Sequence, residues 1–536
     1  MQDDSFDCSG GVDSGLANSA EVVNKLAIAT LILAASTLLS RVLGFLREVF
    51  IAYLHGATAA TDAYYAAFTL PDLMNYFLAG GALSVTFIPM FSAYLAREDE
   101  AGGWRLFSIV ATTMGMLMLA LTVVLIVFTP QIVPHLFPGF DDPAQMDLLV
   151  RMTRIVMPAQ LAFYVGGVLN ASLMARQIFW PSALMPLVYN LFIILGGVAL
   201  HPWIGVEGFA VGVVAGAFLG PLAIPLWASR KSISYQFRFA PFDPEFKKFV
   251  WVTLPLMIGV SLVTVDEWLL RYFGSMHESG AISWLTNSRK LMMFAFAVIG
   301  QAAGQAALPF FARLYHEGKE DELGQTLSAS LQRVMFFSLI ASAGLFVVAE
   351  PLVFLVFQRG AFSVEDAAIT AELLMYFSIG LAAWGAQTLA VRGFYAREDT
   401  WTPMIISSVV TVAALPAYWL LNESMGIQGL ALATSVGMVM NVVATVGFYR
   451  FKGHSLPLKP VGLGSLRGVG LGLPAALGAW LVLEQFDFGE GALGYALSFG
   501  SSGLVFLGVL LALIALIKPP EVEVLRAKIA RKLRRK

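Results

Sequence analysis

Long apolar runs separated by short polar segments recur from one end of this sequence to the other. A membrane-spanning helix needs about 20 mostly apolar residues. Fourteen stretches answer to that: Leu26–Leu54, Ala63–Tyr94, Leu106–Phe128, Met152–Met174, Pro181–Leu200, Gly205–Ala228, Phe249–Phe273, Ala281–Phe311, Leu327–Phe357, Ala367–Arg392, Pro403–Leu421, Ile427–Tyr449, Val469–Leu483 and Leu493–Ile517. The pattern predicts an all-α polytopic membrane protein of about fourteen transmembrane helices.

The loops between these runs sort by sign. One alternate set carries Arg97, Arg105, Arg176, the group Arg230, Lys231, Arg238, Lys247 and Lys248, then Arg313, Lys319, Arg392, Arg397, Arg450, Lys452, Lys459 and Arg467. The opposite set (Thr129–Asp147, His201–Ile204, Gly274–Gly280, Asn422–Gly426, Gln485–Gly491) is almost free of Lys and Arg. Because positive loops stay on the cytoplasmic side, both termini are expected in the cytoplasm of a bacterial inner membrane. An even number of spans requires the same.

Composition agrees with a lipid solvent. The 536 residues are 58% hydrophobic and 13% charged, with mean hydropathy +0.74, against about 25% charged in a soluble domain. The lone Cys8 excludes an intramolecular disulfide. The six histidines form no HxxxH or HExxH pair, so neither a catalytic metal nor a catalytic residue set is expected. Residues 1–24 read as an acidic, Gly/Ser-rich disordered cytoplasmic tail. Its Ser9-Gly10-Gly11-Val12-Asp13-Ser14 imitates a phosphate loop but follows no strand, so no helix N-terminus is set up to bind phosphate. Residues 519–536 form a basic cytoplasmic tail suited to lying on anionic lipid rather than to binding nucleic acid.

The chain also repeats itself. Gly205-Val206-Glu207-Gly208-Phe209-Ala210 returns as Gly426-Ile427-Gln428-Gly429-Leu430-Ala431, 221 residues on. Phe87-Ile88-Pro89 returns as Ala307-Leu308-Pro309, and Ala175-Arg176 as Ala396-Arg397. A repeat of six helices gives two same-sense lobes related by an axis along the membrane normal, the parallel-repeat arrangement of transporters. The expected division is an N-lobe over 25–231, a C-lobe over 232–453 and two extra helices over 454–518.

Ionisable side chains inside spans cost about 2.5–3.5 kcal/mol each on insertion scales. The first span holds Arg41, Arg47 and Glu48, Asp62 opens the second, the seventh holds Asp266, Glu267 and Arg271, and the eighth holds Arg289 and Lys290. One reading has these charges pairing to lock helices, as Arg47 with Glu48 or Asp266 with Arg289. The other is a hydrated cavity whose cations hold an anion, arginine being suited to oxygen pairs through its planar fork. Pro71, Pro89, Pro255 and Pro309 lie within spans, where bends are expected if helices gate a cavity. Asp266 and Glu267 are candidate ligands for sodium or proton coupling, with salt bridges to Arg271 or Arg289 as the alternative. No nucleotide-binding loop is expected, which leaves the membrane potential or an ion gradient as the energy source.

Ser40-Arg41-Val42-Leu43-Gly44-Phe45-Leu46-Arg47-Glu48, followed by Gly56 through Thr61-Asp62 to Pro71, resembles the start of the MurJ/MviN lipid II flippases. So do Gly80-Gly81-Ala82, Phe87-Ile88-Pro89, Gly259-Val260-Ser261, Ser283-Trp284 and Gly393-Phe394-Tyr395-Ala396-Arg397. The likeness runs from about residue 25 to 453. It implies a member of the multidrug/oligosaccharidyl-lipid/polysaccharide exporter superfamily that moves undecaprenyl-pyrophosphate-linked peptidoglycan precursor by alternating access. By position, Arg41 and Arg47 would contact pyrophosphate, with Arg289 and Lys290 contributing from the eighth span. Glu48 would line the cavity, Asp62 and Ser283 would lie toward the outer gate, and the last two helices would form a groove for the lipid tail. Departures from the pattern are Asn75 where the family has an arginine, Gly80 where it has an acid, Lys290 for its eighth-span arginine, and Arg289 where an acid is common. Cationic character therefore moves toward the C-lobe. The implied partners are lipid II or a related undecaprenyl-pyrophosphate glycan, membrane lipids and cell-wall synthesis proteins, the protein itself acting as a monomer without cofactor. Export of another lipid-linked oligosaccharide, a non-transporting cell-wall scaffold paralogue and a cation or drug antiporter are the competing readings; the last predicts twelve spans and an acidic cavity.

Overall fold

The computed structural model describes residues 35–79, 86–258, 262–489 and 491–523. The acidic tail, the phosphate-loop imitation, Gly80 and residues 524–536 of the basic tail lie outside the described residues. Within them every regular element is a helix. Eight helices are long and apolar enough to cross a membrane, or nine if the bent pair Val364–Ile379 and Leu381–Tyr395 counts as one span. That falls short of fourteen for a physical reason. The first, second, seventh and eighth expected spans are interrupted, charged or partly outside the described residues, as in Ala59–Ala66 followed by Thr69–Ala79, and Leu262–Gly274 with its three ionisable groups, and the eleventh and twelfth run together as the helix Trp401–Phe451. Two expected loops are largely helical. The helix Glu100–Leu136 runs eight residues into Thr129–Asp147, and Asn422–Gly426 lies inside Trp401–Phe451, kinked at Gly426.

Two compact units emerge, and their boundaries do not follow the repeat. One comprises the chain up to Phe50, Leu70–Phe128 and Thr153–Met257; the other comprises Ile51–Thr69, Thr129–Met152 and everything from Ile258 on. In the first, Trp180–Ile204 and Glu207–Ala217 pack so closely that a Cβ on Gly196 would lie 2.6 Å from Gly212 Cα. Without a hydrophobic drive between helices in lipid, such small-residue contacts supply the packing. In the second, Leu458–Gln485 and Ala492–Ile517 bury Leu471, Ala475, Ala479, Phe506 and Leu510 against Phe336 and Ile340 of Glu320–Val347. Their outer faces leave Leu466, Leu473, Leu504 and Leu516 exposed, as lipid-facing positions require.

The repeat is written in the backbone. Gly205 (φ 58, ψ −134) and Gly426 (φ 63, ψ −137) adopt the same conformation. Gln177 (φ 62) matches Glu398 (φ 61), and Glu98 (φ 58) matches Gly318 (φ 71). The same ion pair recurs inside each unit: Arg176 with Glu100 at 3.4 Å, and Arg397 with Glu320. Each acid is the first residue of its helix, where a negative charge complements the helix dipole.

Candidate functional site

In the second unit, Leu262–Gly274 presents Glu267, Leu270 and Arg271 on one face, an i, i+3, i+4 set. Ala281–Phe296 presents Ile282, Leu285, Thr286, Arg289 and Lys290 at helical spacing. These eight residues line a cavity of about 170 Å³. A water needs only about 10–15 Å³ of such space, so the cavity is roomy enough to be hydrated. Three cations and one carboxylate face it.

The charges are organised. Arg289 donates from Nε to Asp266 Oδ2 at 3.0 Å and from Nη1 to Glu267 Oε2 at 3.3 Å, and its guanidinium lies 5.6 Å from the Trp384 ring centroid. Arg271 Nη2 donates to Glu267 Oε1 at 2.5 Å and Nη1 to Thr69 Oγ1 at 3.2 Å. Lys290 Nζ sits 4.9 Å from the Tyr65 ring centroid. Asp266 is 1% exposed. Its Oδ1 accepts from the Tyr418 hydroxyl and from Thr434 Oγ1 at 2.7 Å. The tethered guanidinium of Arg289 thus stands where a bound cation would meet this carboxylate. Two carboxylates, Asp266 and Glu267, here stand among three cations, Arg271, Arg289 and Lys290.

The cavity helix is fixed at its start by Asp62. Gly280, at φ 103, precedes Ala281–Phe296 with no side-chain cap of its own. Asp62, 1% exposed, supplies the missing acceptor. Its Oδ2 accepts from Gly280 N at 2.7 Å, and its Oδ1 accepts from Ser283 N at 2.8 Å and Ser283 Oγ at 2.7 Å. Thr61 Oγ1 lies 2.9 Å from the same hydroxyl. Asp62 is placed by its own short helix, which begins with a Thr58/Thr61 capping box. Farther along, Trp284 Nε1 donates to Asp366 Oδ1 at 2.8 Å and Ser288 Oγ to Thr370 O at 2.8 Å, pinning the cavity helix to Val364–Ile379.

The first unit holds the other group of expected residues. On the helix over 35–55, Arg47 donates from Nη2 and Nε to Glu48 Oε1 at 2.6 and 3.0 Å, and from Nη1 to Asn190 Oδ1 at 3.4 Å. Asn190 is held in turn, donating to Pro186 O at 3.0 Å and Ser40 Oγ at 3.3 Å. Gly44 gives it room, a Cβ there lying 3.7 Å from the Asn190 amide oxygen. Glu48 is 1% exposed and Arg47 22%, so the guanidinium is the accessible partner. Arg41 is half-buried on the same helix, and Asn75 is exposed.

The structure therefore joins Arg47 with Glu48, Asp62 with Ser283, and Asp266 and Glu267 with Arg289. Sequence reasoning left Thr286, Asn190, Tyr418 and Thr434 out of the site and named Arg271 only as a salt-bridge partner for Asp266 or Glu267, the pair with Glu267 being present. Arg271 carried a usable signal, its i, i+4 spacing from Glu267. The contacts of Tyr418 and Thr434 with Asp266 span 152 and 168 residues and carried none. Among the described residues no group of His, Cys, Asp or Glu is arranged to hold a metal.

Comparisons with known proteins converge. A family model described as "Lipid II flippase MurJ" matches residues 51–484. A probable lipid II flippase MurJ of Rhizobium meliloti is 30% identical over 427 residues, covering 78% of this chain and 79% of that protein. A probable lipid II flippase MurJ of Vibrio cholerae is 27% identical over 433 residues, covering 78% and 82%. Among solved structures, the inward closed conformation of lipid II flippase MurJ superposes with TM-score 0.75 at 21% identity, over 91% of this chain and all of that one. An inward-facing multidrug resistance MATE family transporter of the MOP superfamily follows at 0.64 and 14% identity, over 77% of this chain and 94% of that one. At those identities the solved structures speak for the fold, and the family model together with the Rhizobium relative speaks for the family. The chain belongs to the lipid II flippase MurJ family.

Proposed function

We propose that this protein is a lipid II flippase of the inner membrane, in which the cationic cavity of Leu262–Gly274 and Ala281–Phe296 takes the pyrophosphate of an undecaprenyl-linked glycan. The observation that carries the site assignment is the convergence of three cations, Arg271, Arg289 and Lys290, with Glu267 on one cavity of about 170 Å³, large enough to hold water. Buried cations in lipid are costly unless paired or put to use. Here Arg289 is held by both Asp266 and Glu267, while Arg271 and Lys290 line the same cavity from the two helices. A diphosphate competes with Glu267 for Arg271 through the same two-pronged geometry. On the first unit, Arg47 offers an accessible fork steadied by Glu48 and Asn190, with Arg41 on the same helix. Neither cluster contains a nucleophile paired with a base, and binding with reorientation is the chemistry this arrangement suits.

Alternating access would need the tie between Asp62 and the start of the cavity helix to break and re-form, making it the outer latch. The distribution of Lys and Arg among the loops supports a cytoplasmic side for both termini. Because Asp266 is saturated by Tyr418, Thr434 and Arg289, the membrane potential acting on the charged cavity is the favoured energy source over an ion bound at Asp266; moving one charge through 100 mV is worth about 2.3 kcal/mol. The last two helices would take the lipid tail along their exposed leucine faces. A second reading, export of another lipid-linked oligosaccharide, is favoured by the uncharged, exposed Asn75 and by Lys290, which cannot grip oxygen pairs as arginine does.

Complementation of a strain depleted of its own flippase tests the proposal. Wild type should restore growth, while membrane-inserted Arg47→Gln, Arg271→Gln and Lys290→Gln should fail. Failure of wild type to rescue, despite correct insertion, would favour the second reading. Rescue by all three variants would remove the cavity from the account.

A further inference from the structure

The segment between Ser229 and Trp251 is basic and aromatic, an extended stretch followed by the start of the helix Pro244–Ile258, and the transport reading leaves it without a task. Residues 233–240 have no helical structure and run along the helix Glu100–Leu136. Their backbone is pinned there by side-chain hydroxyls. Gln236 N donates to Ser108 Oγ at 3.1 Å, Arg238 N to Thr112 Oγ1 at 3.4 Å and Ala240 N to Thr113 Oγ1 at 3.1 Å, while the Tyr235 hydroxyl lies 3.0 Å from Thr112 Oγ1. The two repeats match in length. Four helical residues rise about 6 Å and two extended residues advance about 6.6 Å, so Ser108 and Thr112 meet alternate N–H groups. Asp243 is tied to Arg105 at 3.1 Å. Phe237 and Phe239 stand in the open, 69% and 55% exposed.

Just beyond, Pro241, Phe246, Lys247, Lys248, Val250 and Trp251 line an open apolar groove of about 570 Å³. Trp251 is 77% exposed and Phe242 80%. Lys247 Nζ lies 5.6 Å from the Phe242 ring centroid. From Ser229 to Trp251 the chain carries Arg230, Lys231, Arg238, Lys247 and Lys248 against Asp243 and Glu245, and Asp243 is already committed to Arg105. Aromatic rings beside lysines are the composition of a membrane–water interface, and basic clusters at that depth attract anionic headgroups. What distinguishes this segment from an ordinary interfacial loop is that the groove is built on the first two turns of the helix Pro244–Ile258, and the extended stretch leading into it is held by three hydroxyl acceptors.

We propose that this groove is a fixed site for one anionic phospholipid, its headgroup phosphate between Lys247 and Lys248 and an acyl chain along Trp251 and Phe246. The site is independent of the cavity at Arg271 and Lys290.

The test uses the full chain in nanodiscs of phosphatidylglycerol and phosphatidylcholine in equal amounts, with co-purifying lipid counted by native mass spectrometry. Wild type should retain phosphatidylglycerol selectively. At roughly one interaction of ordinary juxtamembrane strength per lysine, Lys247→Gln/Lys248→Gln should weaken that retention about thirty-fold. Both lysines are exposed, so the melting temperature should not move. A second double variant, Arg230→Gln/Lys231→Gln, changes net charge equally outside the groove and should leave selective retention intact. Equal retention of both lipids by wild type would overturn the proposal. So would undiminished phosphatidylglycerol on Lys247→Gln/Lys248→Gln, or an equal loss in both double variants, which would mean diffuse surface charge rather than a site.

Discussion

Replacing Asp62 by alanine should unfasten the start of the cavity helix without touching the cavity. The carboxylate accepts three hydrogen bonds, two of them from the backbone N–H groups of Gly280 and Ser283. These belong to the first turn of a helix, where donors have no partner within the helix itself. Removing the acceptor leaves both buried, at about 1–3 kcal/mol each. It also withdraws a negative charge from a helix N-terminus, at about 0.3–1 kcal/mol. Burying the carboxylate was itself unfavourable, and that cost is relieved, so the net loss should be about 2–4 kcal/mol. Asp62→Asn keeps one acceptor oxygen but turns an amide N–H₂ toward another donor, and should lose about half as much. Ser283→Ala removes only the hydroxyl contact, at about 0.5–1.5 kcal/mol. Hydrogen exchange read by mass spectrometry on the full chain in detergent should show faster exchange over 53–69 and 280–290 in the order Ala, Asn, wild type. Protection unchanged in Asp62→Ala would refute the capping argument and with it the latch.

Asp266→Asn removes the charge that holds Arg289 and leaves a buried guanidinium short of a partner. Breaking such a pair costs about 3–5 kcal/mol, read as a fall in melting temperature, and Arg289→Met/Asp266→Leu should recover most of it. Gly280→Ala should destabilise, because φ is 103 and a Cβ would meet Ala57 O at 2.8 Å; a melting temperature equal to wild type would count against the close approach. Hydrogen bonds from Arg313 and Lys319 hold the exposed Glu317 carboxyl at about 2 instead of 4.5. Its folded value is depressed, so the small stabilisation it gives is present above pH 4.5 and is lost as pH falls toward 2. Carbon-detected NMR of labelled Glu317 should read this, and Arg313→Ala/Lys319→Ala should return it to the ordinary range.

Much of this was legible in the sequence where the signal is local or periodic. Apolar runs gave the membrane class, and matched hexapeptides 221 residues apart anticipated the shared backbone conformation at Gly205 and Gly426. For charges such as Arg47 and Glu48, or Asp266 with Arg289 one hairpin away, the expense of ions in lipid raised pairing as one of two readings beside an anion-holding cavity, and the structure shows the pairs. The span count was less legible, because the first, second, seventh and eighth spans carry the charges and breaks that function needs and so fail the test of length and apolarity. Contacts made across the fold left no trace. Nothing at Tyr418 or Thr434 marks them as partners of Asp266, and nothing at Ser108, Thr112 or Thr113 marks them as acceptors for an extended segment more than 120 residues later. Asp62 and Ser283 were joined beforehand only through family resemblance.

Binding of a soluble undecaprenyl-pyrophosphate analogue to the purified full chain tests the central assignment most directly. Calorimetry should find wild type binding it, with Arg271→Gln and Lys290→Gln each at least tenfold weaker, the loss of about one charge-assisted contact to phosphate, and the monophosphate analogue weaker than the diphosphate for wild type alone. Equal affinity of wild type and both folded variants for the diphosphate would contradict the account.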